Sequence, residues 1–133
     1  MRLSRLLAYW FLPWLLAGCM ATNPYAPVPK ALYLTADTYG DVTRWGDLAK
    51  LYAFVLPEHA TTPPPGLDRI RVTHYAASGL KEIGPWRWQQ TAVIDYVLTD
   101  RQVVRRLVDR QVWVSPDEGK HWYRENPPPD FLK

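Results

Sequence analysis

Two hydrophobic periods divide the chain. Between Asp41 and Leu56, the apolar residues Trp45, Leu48, Ala49, Tyr52, Val55 and Leu56 recur at offsets of three and four. That spacing lines one face of an α-helix. Asp41 or Thr43 suits its N-cap and Pro57 ends it, with Gly46 a mild weakness. The run Thr61-Thr62-Pro63-Pro64-Pro65-Gly66 is a stiff loop, and beyond it the period drops to two. Ile70, Val72, His74 and Ala76 alternate with Arg71, Thr73 and Tyr75. Trp86, Trp88, Gln90, Ala92, Ile94, Tyr96 and Leu98 alternate with the polar and β-branched residues between them. Such alternation marks half-buried strands. Residues 102–114 suit a helical stripe as well, but their valines and the preceding turn at Thr99-Asp100-Arg101 favour a second hairpin strand.

These patterns predict an α+β fold: one amphipathic helix near 41–56 on a curved antiparallel sheet. Three long strands near 68–77, 86–99 and 102–115 and a short closing strand near 120–124 make that sheet. Gly79–Pro85 is expected to be a turn. Residues 19–40, with Pro24, Pro27 and Pro29, read as a proline-rich tether, and 41–133 as the single domain. Lys30 to Tyr39 gives no clear element.

The N-terminus carries its own pattern. Arg2 and Arg5 precede a mostly apolar run from Leu6 to Ala17, shorter than the roughly 20 residues a spanning helix needs. Leu16-Ala17-Gly18-Cys19 follows and resembles a bacterial lipobox. That resemblance implies a signal peptide at 1–18, cleavage between Gly18 and Cys19, and lipid on the Cys19 thiol. Acyl chains on one residue then anchor the protein stably to a membrane. In the best-known sorting rule for such lipoproteins, aspartate after the cysteine retains the protein in the inner membrane. Met20 stands there instead, which implies the periplasmic face of the outer membrane.

Composition narrows the functions. The full chain has 16 Lys+Arg against 13 Asp+Glu, but losing Arg2 and Arg5 leaves 14 against 13, a net +1. That is no footprint for nucleic acid. One cysteine excludes an intrachain disulfide and a multi-cysteine zinc site. His59, His74 and His121 have no metal-ligand spacing, and no phosphate loop or nucleophile elbow occurs. No metal or cofactor is expected.

Ser115-Pro116-Asp117-Glu118-Gly119-Lys120-His121-Trp122 is the one sharp local motif. It is similar to the Asp-box, a hairpin motif of sialidase-like propeller blades, where it is structural. Asp117 accepts backbone N–H groups, Gly119 takes the positive φ, and Trp122 packs back on the sheet. A wider resemblance runs from about 41 to 131, through Trp45-Gly46-Asp47, Leu51-Tyr52, Asp109-x-Gln111-x-Trp113, Trp122-Tyr123 and Pro129-Asp130-Phe131. It looks like a group of small proteobacterial lipoproteins, and a helix across a curved sheet resembles the nuclear-transport-factor-two-like (cystatin-like) roll.

Asp95 and Tyr96 alternate onto opposite faces, so Asp95 is better used in a cross-strand pair with Arg105 or Arg110 than in catalysis. The cluster Arg101, Arg105, Arg106 and Arg110 reads as a solvated sheet face. The expectation is therefore a non-enzymatic accessory or interaction module, tethered at the outer membrane and binding a protein or envelope component through its sheet face. A second reading is a small-ligand binder, or after that a hydrolase or isomerase, using a pocket between helix and sheet at Trp45, Tyr52, Tyr96 and Trp113.

Overall fold

A computed structural model of the chain describes residues 26–133; the expected signal peptide at 1–18 and the expected lipid site Cys19 lie outside them. Helix α1 spans Lys30–Trp45. A 3-10 helix follows at Leu48–Phe54, and short 3-10 turns at Pro57–His59 and Leu67–Arg69 lead into the sheet. The strands are β1 (Ile70–Ala77), β2 (Lys81–Gly84), β3 (Arg87–Leu98), β4 (Val103–Val114) and β5 (Tyr123–Arg124). All pair antiparallel, in the order β1-β3-β4-β5, with β2 beside the N-terminal end of β3. The fold is α+β, with helical elements packed on an open antiparallel sheet.

The three long strands fall within two residues of their expected bounds and the short closing one starts three residues late, at Tyr123; the helix departs further. Residues 30–40, expected in the tether, are helical, and the periodic segment 41–56 is broken in two. Leu32, Ala36, Tyr39, Gly40 and Thr43 form the buried stripe of α1. Alanine, glycine and threonine hide that stripe from a search for large apolar residues. Thr43 is no N-cap; its Oγ1 donates to the Tyr39 carbonyl at 2.8 Å inside the helix. Gly46 instead ends α1 in an extended conformation, and the Asp47 side chain caps the next element by accepting from Ala49 N at 3.0 Å. From there the buried Leu48 and Leu51 follow a spacing of three, the period of a 3-10 helix. Trp45 therefore sits on the outer side of α1, 75% exposed.

β3 and β4 pair along their whole lengths, from Arg87↔Val114 to Leu98↔Val103. The β1–β3 ladder shifts register between Val72 and His74, with Thr73 the extra residue. This bulge reverses the alternation expected for β1. Ile70 and Val72 are buried before it; Tyr75, rather than His74, turns inward after it. β2 is an addition: Lys81 and Glu82 pair with Gln89 and Trp88 where only a turn was expected.

The core lies between α1, the 3-10 helix and one sheet face. Tyr39, Phe54 and Trp113 meet edge to face, with ring centroids 5.2 to 6.5 Å apart. Tyr96 stacks the same way on Phe131 at 5.2 Å, so the C-terminal segment closes the core's far end. On the opposite face Asp95 pairs with Arg106, directly across the ladder at 2.7 Å, and not with Arg105 or Arg110. Arg105 instead donates to the Lys133 carbonyl, and Arg110 lies opposite Thr91.

Candidate functional site

A polar network runs through the apolar core. Asp109, Gln111 and Trp113 alternate on β4 and all face inward. Arg124 of β5, fully buried, grips Asp109 through two bonds, Nη1 to Oδ2 at 2.8 Å and Nη2 to Oδ1 at 2.9 Å. Its remaining reach goes to the Tyr39 hydroxyl at 2.5 Å and the Pro127 carbonyl at 3.1 Å. Gln111 Nε2 donates to Asp109 and to the Tyr75 hydroxyl, at 3.1 and 2.9 Å, while its Oε1 accepts from Trp113 Nε1 at 3.1 Å. Burial pushes the Tyr39 phenol far up, so it stays protonated. Burial opposes the Arg124 charge, but Tyr39 and Asp109 outweigh it and raise its pKa. The network ties α1, β1, β4 and β5 together. Sequence reading singled out the Asp109-x-Gln111-x-Trp113 alternation but missed Arg124, whose only signal is a charge on a strand edge.

The Ser115–Trp122 segment forms a closed set of hydrogen bonds. Ser115 Oγ donates to Asp117 Oδ1 at 2.9 Å and accepts from Gly119 N at 2.7 Å. Asp117 Oδ1 also accepts from His121 N at 2.8 Å, and Oδ2 meets His121 Nδ1. Gly119 has φ +89, and a Cβ there would come within 2.9 Å of the Trp86 ring. Trp122 is buried beside that ring, at a centroid distance of 6.5 Å. Side-chain and backbone bonds to His121, with help from Ser115, pull the Asp117 carboxyl from 3.8 down to about 2. A depressed carboxylate stabilises the fold above its unfolded pKa, and that contribution fades as pH falls through the folded value. Asp117→Asn is accordingly expected to flatten the acid limb of stability between about pH 4 and 2. Carboxyl carbon shifts in an NMR titration check this; an Asp117 midpoint near 3.8 would contradict it.

The four residues expected to share a pocket do not line one cavity. Trp113 and Tyr96 are buried in the core, at 0% and 3% exposure. Tyr52 is partly buried against that core, and Trp45 lies outside. What opens instead is a cleft of about 280 Å³ between α1 and the β1–β2 side of the sheet. Tyr33, Asp37, Asp41, Arg44 and Trp45 line it from α1; Tyr75, Ala77 and Gln90 line it from the sheet and Leu80 from the β1–β2 connection. Its floor depends on Gly40, where a Cβ would come within 2.8 Å of Tyr75 Cε1. That close approach accounts for a glycine inside a helix.

The exposed ring at the cleft is held in place. Arg44 Nη1 donates to the Val72 carbonyl at 2.9 Å, beside the β1 bulge, and its guanidinium lies 3.7 Å from the Trp45 ring centroid. Gln90 Nε2 donates to the Ser78 carbonyl at 2.8 Å, leaving Gln90 Oε1 buried without a partner among the described residues. Burial first, then the carboxylates of Asp109 and Asp37, push the Tyr75 phenol up against the Gln111 bond and the Arg124 charge. Among the described residues no group of three or more His, Cys, Asp or Glu is placed to hold a metal ion. No known protein family, curated protein or solved structure matches the chain.

Proposed function

We propose that the chain is a lipid-anchored envelope protein whose domain is a non-enzymatic interaction module at the periplasmic face of the outer membrane. The observation that carries the module reading is the contrast between two aromatic groups. Tyr39, Phe54 and Trp113 fill the space between helix and sheet, whereas Trp45 stands on the surface, pinned by Arg44 at the mouth of a cleft. A tryptophan rigidly displayed to solvent is a feature of recognition surfaces rather than of cores. This reading puts the binding surface on α1 rather than on the sheet face that the sequence suggested. The anchor rests on Leu16-Ala17-Gly18-Cys19.

Cys19→Ser is expected to abolish palmitate labelling and move the protein from the membrane to the soluble fraction. Fractionation and metabolic labelling in a bacterial host measure both. An unlabelled wild-type chain, or a variant still sedimenting with membranes, would remove the lipoprotein half of the reading. A photo-reactive phenylalanine analogue at Tyr33 tests the other half, since a module should cross-link to a discrete envelope component in intact cells.

A further inference from the structure

The charged lining of the α1 cleft is unbalanced. Asp37 and Asp41 stand four residues apart on α1, where like charges weaken a helix slightly. Among the described residues neither forms an ion pair, although Arg44 lies on the same face. Arg44 is committed elsewhere, to the Val72 carbonyl and the Trp45 ring. Two carboxylates and one guanidinium leave a formal charge of −1. Around these stand the Trp45 and Tyr33 rings, 75% and 57% exposed, whose faces attract cations. The volume, about 280 Å³, is just below the range of about 300–1,000 Å³ that holds drug-sized ligands. It suits a group the size of one side chain.

We propose that this cleft binds a single ammonium or guanidinium group on a short aliphatic stem. The group would come from a lysine or arginine side chain of a protein partner or from a free alkyl amine. Its charge cancels the −1 of the lining, its N–H donors meet the carboxylates, and its stem lies along the exposed rings. The inference deepens the module reading above and rests on it only for the source of the group.

The test uses the full chain in detergent micelles, titrated with n-butylammonium and n-butylguanidinium while the tryptophan indole N–H signals are followed by NMR. Saturable binding that moves the Trp45 signal and weakens with added salt is expected. n-Butanol, the neutral analogue, should bind far more weakly. Asp37→Asn and Asp41→Asn are exposed, isosteric changes that should leave the thermal melt intact and lower affinity about three- to fivefold each. Equal binding of butanol, an unmoved Trp45 signal, or unchanged affinity in the double variant would overturn the proposal. A lysine-containing peptide that binds about tenfold tighter than butylammonium identifies a protein side chain as the ligand, whereas equal affinity identifies the free amine. Cross-linking at Tyr33 without any amine binding would leave the module reading standing and remove this one.

Discussion

Arg124→Ala is expected to destabilise the domain by about 3–5 kcal/mol, because breaking a buried ion pair strands the surviving charge. Asp109 is only 3% exposed and would retain one side-chain donor, Gln111, in place of the bidentate grip. Tyr39 would lose its bond in the same step. Chemical denaturation measures the loss, and a cost below about 1 kcal/mol would show that water or repacking satisfies Asp109 without the arginine. Replacing both partners together, Asp109→Leu with Arg124→Met, should cost less than Arg124→Ala alone. Arg124→Lys separates charge from shape: an ammonium restores the charge but cannot donate in a parallel fork, so it should recover part of the loss.

Trp113→Ala is expected to cost a similar amount, about 3–5 kcal/mol, for a different reason. The side chain is fully buried and meets Tyr39 and Phe54 edge to face. Removing it opens a cavity that α1 and the 3-10 helix cannot both close, since Gly46 and Asp47 fix the break between them. It also removes the donor to Gln111 Oε1, leaving a buried acceptor unpaired. Trp113→Phe keeps most of the ring packing but not that donor, so it should fall between wild type and alanine. Thermal and denaturant melts measure the series, and equal stability of the phenylalanine variant and wild type would mean that the Gln111 bond contributes nothing net.

The sheet was more legible in the sequence than the helix, and the reason lies in particular side chains. Long two-residue alternation in 86–98 and a valine-rich partner at 103–114 leave little choice of pairing. The Ser115–Trp122 hairpin is equally local: its serine, aspartate and glycine bond to groups within four residues. Helix α1 hid because its buried stripe is built from Ala36, Gly40 and Thr43 as much as from Leu32 and Tyr39. Gly40 makes sense only once Tyr75 is seen lying against it. The helical period at 45–56 was real but belonged to two elements, since a spacing of three serves both an α-helix and a 3-10 helix. The cleft could not be read at all. It arises where the Thr73 bulge turns Tyr75 inward and exposes Val72 O to Arg44, a long-range event that no local pattern encodes.

The reach of the Arg124 network has a consequence for how the chain folds. Tyr39 and Arg124 are 85 residues apart in sequence, yet Arg124 Nη1 donates to both the Tyr39 hydroxyl and Asp109. A partly folded chain with α1 docked and β5 still open would hold the Asp109 carboxylate in the core without its partner, an expensive arrangement. A chain with β5 paired and α1 absent would leave Arg124 facing water through the gap. Docking of α1 and pairing of β5 therefore favour each other, and slow-exchanging amides in both are expected to be lost at similar opening free energies. Emerging from a ribosome, the domain would complete this network only once nearly its whole length was available.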